Sequence, residues 1–278
     1  MLAQLDTRIV SSFLLYLDHE IQSRGSGFQN QTISFYPEVS PISNTYVFTA
    51  PVKPICNDTS ISGATILSGV YIGNSYISIG QSGLKGINHY KGALYFTGIN
   101  PETFHQPISG AGAVKEISVK LTDKTDWKLM FETKYVNNGS MSIPTTGLDL
   151  DTELSPIVYV RYKGQENKGF GFSRLDNQVI SLRTIIIADN EFQKIAVASI
   201  LKNLNYRVIP LVQKTTFDSL GTMTGQNYNF SQLPLDISVT PIILSVKAMD
   251  IPQQGSYGDI RRSMALVDFE LSTIARST

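Results

Sequence analysis

An abrupt change of texture constrains this chain more than any single residue in it. Residues 2–24 repeat apolar side chains at helical steps, and the next 120 or so positions show no helical period. Leu2, Leu5, Ile9, Phe13, Leu17 and Ile21 recur at three- and four-residue intervals. Val10 and Leu14 widen that stripe, while Asp6, Arg8, Asp18, Glu20 and Gln22 take other faces. A stripe this broad predicts a helix covering a sheet. Gly25-Ser26-Gly27 ends it, with Gly25 expected at the left-handed cap position, where a missing Cβ removes the steric cost.

From Phe28 to about Gly147, Gly, Ser, Thr and Asn punctuate short β-branched and aromatic runs. Val70–Ile72, Gly73-Asn74 and Ser75–Ile79 read as a hairpin with a tight turn, and His89–Phe96 as a second around Lys91-Gly92. Val114–Leu121 and Trp127–Tyr135 are longer strand-like runs, while Pro41, Pro51 and Pro54 confine their neighbours to edges or loops. The stretch is expected to be an all-β module.

The polar LDLDTE of residues 148–153 reads as a linker, after which the pattern changes again. Pro156–Tyr162 is a strand and Gly164–Gly171 a glycine-bearing loop. Val179–Ala188, apolar on both faces near its end, is a central strand. Asn190 followed by Gln193 signals a helix start, and Phe192, Ile195, Ala196, Ile200 and Leu204 keep helical spacing to about Asn205. Arg207–Gln213, Ile242–Met249 and Met264–Ile274 return as strands, the last alternating Ala265, Val267, Phe269 and Leu271 with Asp268, Glu270 and Ser272. This order predicts an α+β fold: one sheet with two helices on one face, built from residues 1–27 and 148–278, with 28–147 inserted as the β-rich module.

Composition narrows the function classes. Lys+Arg and Asp+Glu are equal at 23 each, so the chain lacks the basic excess expected of a nucleic-acid binder or a polybasic membrane anchor. Charged residues are 17% of the 278, below the roughly 25% usual in soluble domains. The start, MLAQLDTRIV, does not read as a signal peptide, and no apolar run reaches the ~20 residues of a membrane helix. A protein made in the cytoplasm and used without secretion is expected, which makes the four Asn-x-Ser/Thr triplets at Asn30, Asn57, Asn138 and Asn229 chance matches.

No residue set announces an enzyme, a metal or a cofactor. Cys56 has no histidine near it in sequence, and His19, His89 and His105 lie far apart. Asp149, Asp151 and Glu153 lack the glycine and closing glutamate of a calcium loop. Two features stand above this background. One is the basic and aromatic patch Arg161, Tyr162, Lys163, Lys168 and Phe170 on a hairpin tip, suited to DNA, a neighbouring subunit or solvent. The other is the tyrosines and amides of the module (Tyr71, Asn74, Tyr76, Tyr90, Tyr95), which suit glycans as well as strand packing and subunit contacts.

The segment Ser155–Val212 resembles head-to-tail connector proteins of tailed bacteriophages, the tail-terminator type among them. The likeness lies in the leading amphipathic helix, the strand Pro156-Ile157-Val158-Tyr159-Val160, the partner strand Val179–Ala188 and the helix Phe192–Leu204. The closing Val267-Asp268-Phe269-Glu270-Leu271 is similar to the ends of phage neck proteins. The resemblance implies a structural virion protein: a homo-oligomeric ring, commonly a hexamer, that terminates the tail tube and joins it to the head connector. It implies no catalytic residue and no cofactor. Partners would be copies of itself, neighbouring neck and tail-tube or sheath proteins, and DNA passing through the lumen. Arg161, Tyr162, Lys163, Lys168, Phe170, Asp268 and Glu270 are the candidate partner contacts, with Met264–Ile274 as an edge strand pairing between copies. The alternative is a glycan-binding tail-fibre or baseplate adhesion module.

Overall fold

The fold comes from a computed structural model, in which residues 5–25, 27–38, 45–51, 54–98, 106–126, 128–129, 156–169, 176–188, 190–213, 227–251 and 263–275 are described. The chain forms two compact units, one of residues 26–116 and 222–233, the other of 1–25, 117–221 and 234–278.

The first unit is a seven-stranded antiparallel sheet. Its strands are β1 (Phe28–Glu38), β2 (Thr45–Thr49), β3 (Gly69–Ile72), β4 (Ser75–Ser78), β5 (Leu84–Asn88), β6 (Ala93–Thr97) and β7 (Ile108–Lys115), ordered β4-β3-β7-β1-β2-β6-β5. β1 is long enough to serve two neighbours: Phe28–Phe35 pairs with β7 and Tyr36–Glu38 with β2. The two outer strands, β4 and β5, are consecutive in the chain. A short turn joins them, with Gly80 N bonded to Leu84 O at 2.7 Å and Leu84 N to Gln81 O at 2.9 Å. The sheet therefore curls until it is nearly closed and barrel-like. Ile77 of β4 and Leu84 of β5 share one core with Ile33, Phe48, Leu94 and Phe96, where Phe48 and Phe96 meet edge to face at 5.5 Å. Gly83 allows the closing turn, since its φ of +86° and the 2.3 Å between an ideal Cβ and Thr97 O both exclude a side chain.

In the second unit the strands are long: β8 (Ser118–Leu121), β9 (Ile157–Gly169), β10 (Asp176–Ala188), β11 (Val239–Ile251) and β12 (Ser263–Ala275). Their order is β11-β12-β10-β9-β8, antiparallel except for the short parallel β8. Helix α1 (Leu5–Gly25) packs on this sheet through Phe13, whose ring meets Phe269 edge to face at 5.0 Å. Helix α2 (Glu191–Lys202) is capped by the Asn190 side chain, which accepts from Gln193 N. Residues 206–213 and 234–238 strap α1 down. Val212 N donates to Ser12 Oγ at 3.0 Å, and Arg8 reaches Asp236 at 2.7 Å. Burial on nearly every side explains why Ser12, Asp18, Glu20 and Gln22 lie inside with Ile9, Phe13, Leu17 and Ile21.

The α+β expectation of a terminator-like core, with two helices on one sheet face, is corrected. Strand makes up 51% of the structure, which among the described residues has two helices longer than a single turn and a nearly closed, barrel-like sheet. Strand length is the physical reason. β9 through β12 each run 13 residues, because polar stretches that read as loops continue the ladder. Gly164, at φ +145°, sits beside a bulge that carries β9 through the expected loop to Gly169. β12 is no edge strand, since β11 pairs along its outer side. Gly25 is not in the left-handed region: it ends α1 helically, and a Cβ there would stand 2.9 Å from Ile200 Cδ1 on α2. Arg207–Gln213 forms isolated bridges, Val208 with Ile242 and Val212 with Leu235, rather than a strand. The expected strand Trp127–Tyr135 falls mostly outside the described residues, and its Lys128 and Leu129 are helical.

Candidate functional site

The register of the long strands sets Arg161 of β9, Arg183 of β10, Asp268 of β12 and Lys247 of β11 in a single cross-strand row. Side chains alternate between sheet faces, so the same face continues as Tyr159, Ile157, Ile185, Ile187, Leu266 and Met264, all buried with Leu129. The face thus turns from apolar to charged at this row. A helical turn caps the junction. Thr125 accepts through Oγ1 from Lys128 N (3.4 Å) and through its carbonyl from Leu129 N (3.1 Å), which places Leu129 on the apolar cluster and Asp126 over the two arginines.

Arg183 is the hub. Its Nε and Nη2 donate to Asp268 Oδ1 and Oδ2 at 2.7 and 2.8 Å, a two-pronged pairing that fixes both planes. Its Nη1 donates to Asp126 Oδ2 at 3.1 Å, while Arg161 Nη1 reaches Asp126 Oδ1 at 3.0 Å. Lys163 Nζ lies 3.6 Å from Asp268. On the β11 side, Ser245 Oγ donates to Glu270 Oε2 at 3.0 Å and Lys247 Nζ stands 3.9 Å from Glu270. Donation from Arg183 holds the Asp268 carboxyl below its ordinary pKa against the opposing pull of burial, and the same bonds push the guanidinium up. A carboxylate held ionised and gripped on both oxygens is poorly placed to shuttle protons. The row is suited to locking strand register and presenting charge.

The structure brings four of the expected partner residues, Arg161, Lys163, Asp268 and Glu270, into this row or beside it. Arg161 and Lys163 do not stand on a free tip, since carboxylates of their own unit pair with them. Tyr162 takes the other face, 39% exposed, its phenol raised by burial and by nearby Asp6. Lys168 lies in β9 opposite Asn177, and Phe170 is outside the described residues. Sequence reasoning missed Arg183 and Asp126. A lone guanidinium within the apolar Val179–Ala188 was a usable signal, whereas no local pattern marks Asp126.

His89 is buried, its Nε2 2.8 Å from Leu67 O, and Cys56 is fully buried beside Ile61 and Ala113. His105 and the linker carboxylates Asp149, Asp151 and Glu153 fall outside the described residues. Among the described residues no three His, Cys, Asp or Glu side chains are grouped to hold a metal ion. No helix among them is long and apolar enough to cross a membrane. Comparison with protein-family models and with curated proteins finds no match.

Proposed function

We propose that the chain is a structural virion protein of the phage neck or tail, closing with copies of itself into a ring at the junction of tail tube and head connector. The observation that carries this reading is the form of the second unit's sheet. Its two outer long strands have margins that no described strand covers for most of their length, and margins of this kind serve assembly when copies complete them. The sequence resemblance at Ser155–Val212 supplies the virion context, and the equality of 23 basic and 23 acidic residues favours protein neighbours over DNA. Since the architecture departs from a terminator core, the reading is of an elaborated neck component rather than the minimal terminator.

Electron microscopy of the purified chain, and of virions carrying a labelled copy, tests this. Rings, and label at the neck, are expected. A chain that stays monomeric and labels the distal tail would overturn it.

A second reading, glycan adhesion, draws on one observation. Tyr71 and Tyr76 stand 46% and 50% exposed on adjacent strands, their rings 5.2 Å apart and edge to face. Binding on a glycan array that is lost in Tyr71→Ala would favour it.

A further inference from the structure

The two margins of the long-stranded sheet that no described strand covers fit each other, and we propose that the outer edge of β9 in one copy pairs antiparallel with the outer edge of β11 in the next, Glu166 opposite Lys247. The proposal rests on the ring reading and names the contact that would close such a ring. β9 and β11 lie at opposite sides of the order β11-β12-β10-β9, in which every neighbour is antiparallel. Counting along that order, β9 and β11 run in opposite directions. A second copy added in the same orientation therefore continues the alternation without a break.

The covered parts of the margins select the register. β8 pairs with β9 only at Ile157–Val160, so among the described residues no strand lies beside β9 from Arg161 to Gly169. On the other side, the strap covers the start of β11. Ile209 N donates to Pro241 O at 2.9 Å, Ile243 N to Arg207 O at 2.9 Å and Tyr206 N to Ile243 O at 3.0 Å. Past Ile243, no described strand lies along β11's outer side up to Ile251. Setting Glu166 against Lys247 lays β9 from Tyr162 to Gly169 along β11 from Ile251 to Leu244. The stretches that no described strand borders then lie side by side, with β8 ending where the incoming strand ends and the strap beginning where β9 stops. Shifting the register one way runs both β8 and the strap into the partner strand, and shifting it the other way shortens the overlap.

Side-chain chemistry agrees with that register. The bulge in β9 leaves Gly164 and Glu166 on the face of the charged row, and the bulge between Ile243 and Ser245 leaves Lys247 and Met249 on the same face of β11. The pairing then sets a carboxylate opposite an ammonium whose side chain is 75% exposed. It also sets Met249, 54% exposed, over Gly164, where nothing lies within 4 Å of an added Cβ. An apolar side chain on one margin thus meets open space on the other.

Cysteine cross-linking of the full-length chain is the test. Glu166→Cys and Lys247→Cys are introduced singly and together, with fully buried Cys56 left in place. Within one chain these positions are three strand spacings apart, roughly 14 Å, too far for a disulfide, so any bond joins copies. Mild oxidation of the double variant is expected to give a ladder of dimers, trimers and higher forms on a non-reducing gel, and each single variant a dimer at most. A ladder ending at a fixed number marks a closed ring. One that grows into filaments supports the edge pairing while removing the ring reading. Oligomers detected by mass photometry without any ladder would overturn the pairing and leave the ring reading in place, and a chain monomeric throughout would overturn both. In the native-cysteine background, Lys247→Glu is expected to weaken assembly about tenfold and Glu166→Lys with Lys247→Glu to restore it, and failure to restore would overturn this register.

Discussion

Replacing Arg183 by methionine keeps an unbranched, mostly apolar stem and removes the guanidinium that is the hub of the charged row. The change deletes two charge-assisted bonds to Asp268, at 2.7 and 2.8 Å, and one to Asp126 at 3.1 Å. Such bonds contribute roughly 1.5–3 kcal/mol each when well shielded. Two facts reduce the sum. The side chains of Arg183 and Asp268 keep 18% and 27% of their exposure, and each carboxylate retains another cation, Lys163 at 3.6 Å and Arg161 at 3.0 Å. A loss of about 2–3 kcal/mol at pH 7 is expected. For contrast, Lys247→Met should cost under about 0.5 kcal/mol, its partner being 3.9 Å away and its side chain 75% exposed. Urea unfolding followed by Trp127, the single tryptophan and part of the same unit, measures both. Acid adds an independent check. Asp268 is depressed in the folded state, so its contribution is complete above the unfolded value of about 4 and is lost as pH falls through the folded one. The gap between wild type and Arg183→Met should therefore narrow below about pH 4. A loss below 0.5 kcal/mol at pH 7, or a gap unchanged down to pH 2.5, would refute the reasoning.

Three further outcomes are expected. Gly83→Ala should destabilise the seven-stranded unit by about 2 kcal/mol or more, because the new Cβ meets the Thr97 carbonyl at 2.3 Å in a left-handed backbone; a neutral result in thermal unfolding would refute the closing turn. Phe13→Ala should cost about 3–5 kcal/mol through the void left against Phe269, and a loss under 1 kcal/mol in the same urea assay would mean α1 does not pack there. Asp236 is lowered to about 2, first by the Ser238 hydroxyl and then by Arg8, so it stabilises the strap above about pH 4 and the contribution fades toward pH 2. Carboxyl NMR titration should show Ser238→Ala raising that pKa more than Arg8→Met, and the reverse order would show the hydroxyl is not the main cause.

What was legible in the sequence was local. The apolar period of residues 2–24 marked α1, Gly73-Asn74 and Lys91-Gly92 marked two hairpin turns, and Asn190 marked the start of α2. Hidden were contacts that depend on distant partners. β1 reads as polar and ends at Pro37-Glu38, yet it joins the sheet by pairing with β7, some 80 residues on in the chain. Gly164 and the polar residues after it looked like a loop because glycine usually breaks a strand, whereas beside a bulge it lets the strand continue. Gly25 looked like a cap because the helix ends there, while its missing Cβ serves the approach of Ile200. Arg161, Lys163, Asp268 and Glu270 stood out one by one and Arg183 was marked only by its isolation among apolar residues, while Asp126 acts only because a turn folds it over strands 35 and 57 residues away.

The proposed register has a consequence for how copies would be inclined. Within one chain Lys247 stands in the row of Arg161. Between copies it would stand against Glu166, which lies four rows higher, because the bulge takes up one of the five residues separating Arg161 from Glu166. Each copy contributes four long strands to the continuous sheet, so the stagger is one residue per strand. With a rise of about 3.3 Å per residue and about 4.8 Å between strands, that stagger tilts the strands roughly 35° from the ring axis. This lies at the lower end of the roughly 35–45° tilt usual in closed barrels. The register at which β8 and the strap leave the margins clear therefore also gives a tilt like that of closed barrels. Flush pairing, with no stagger, would place the strap against β9 and hold the strands upright, and it would satisfy neither requirement.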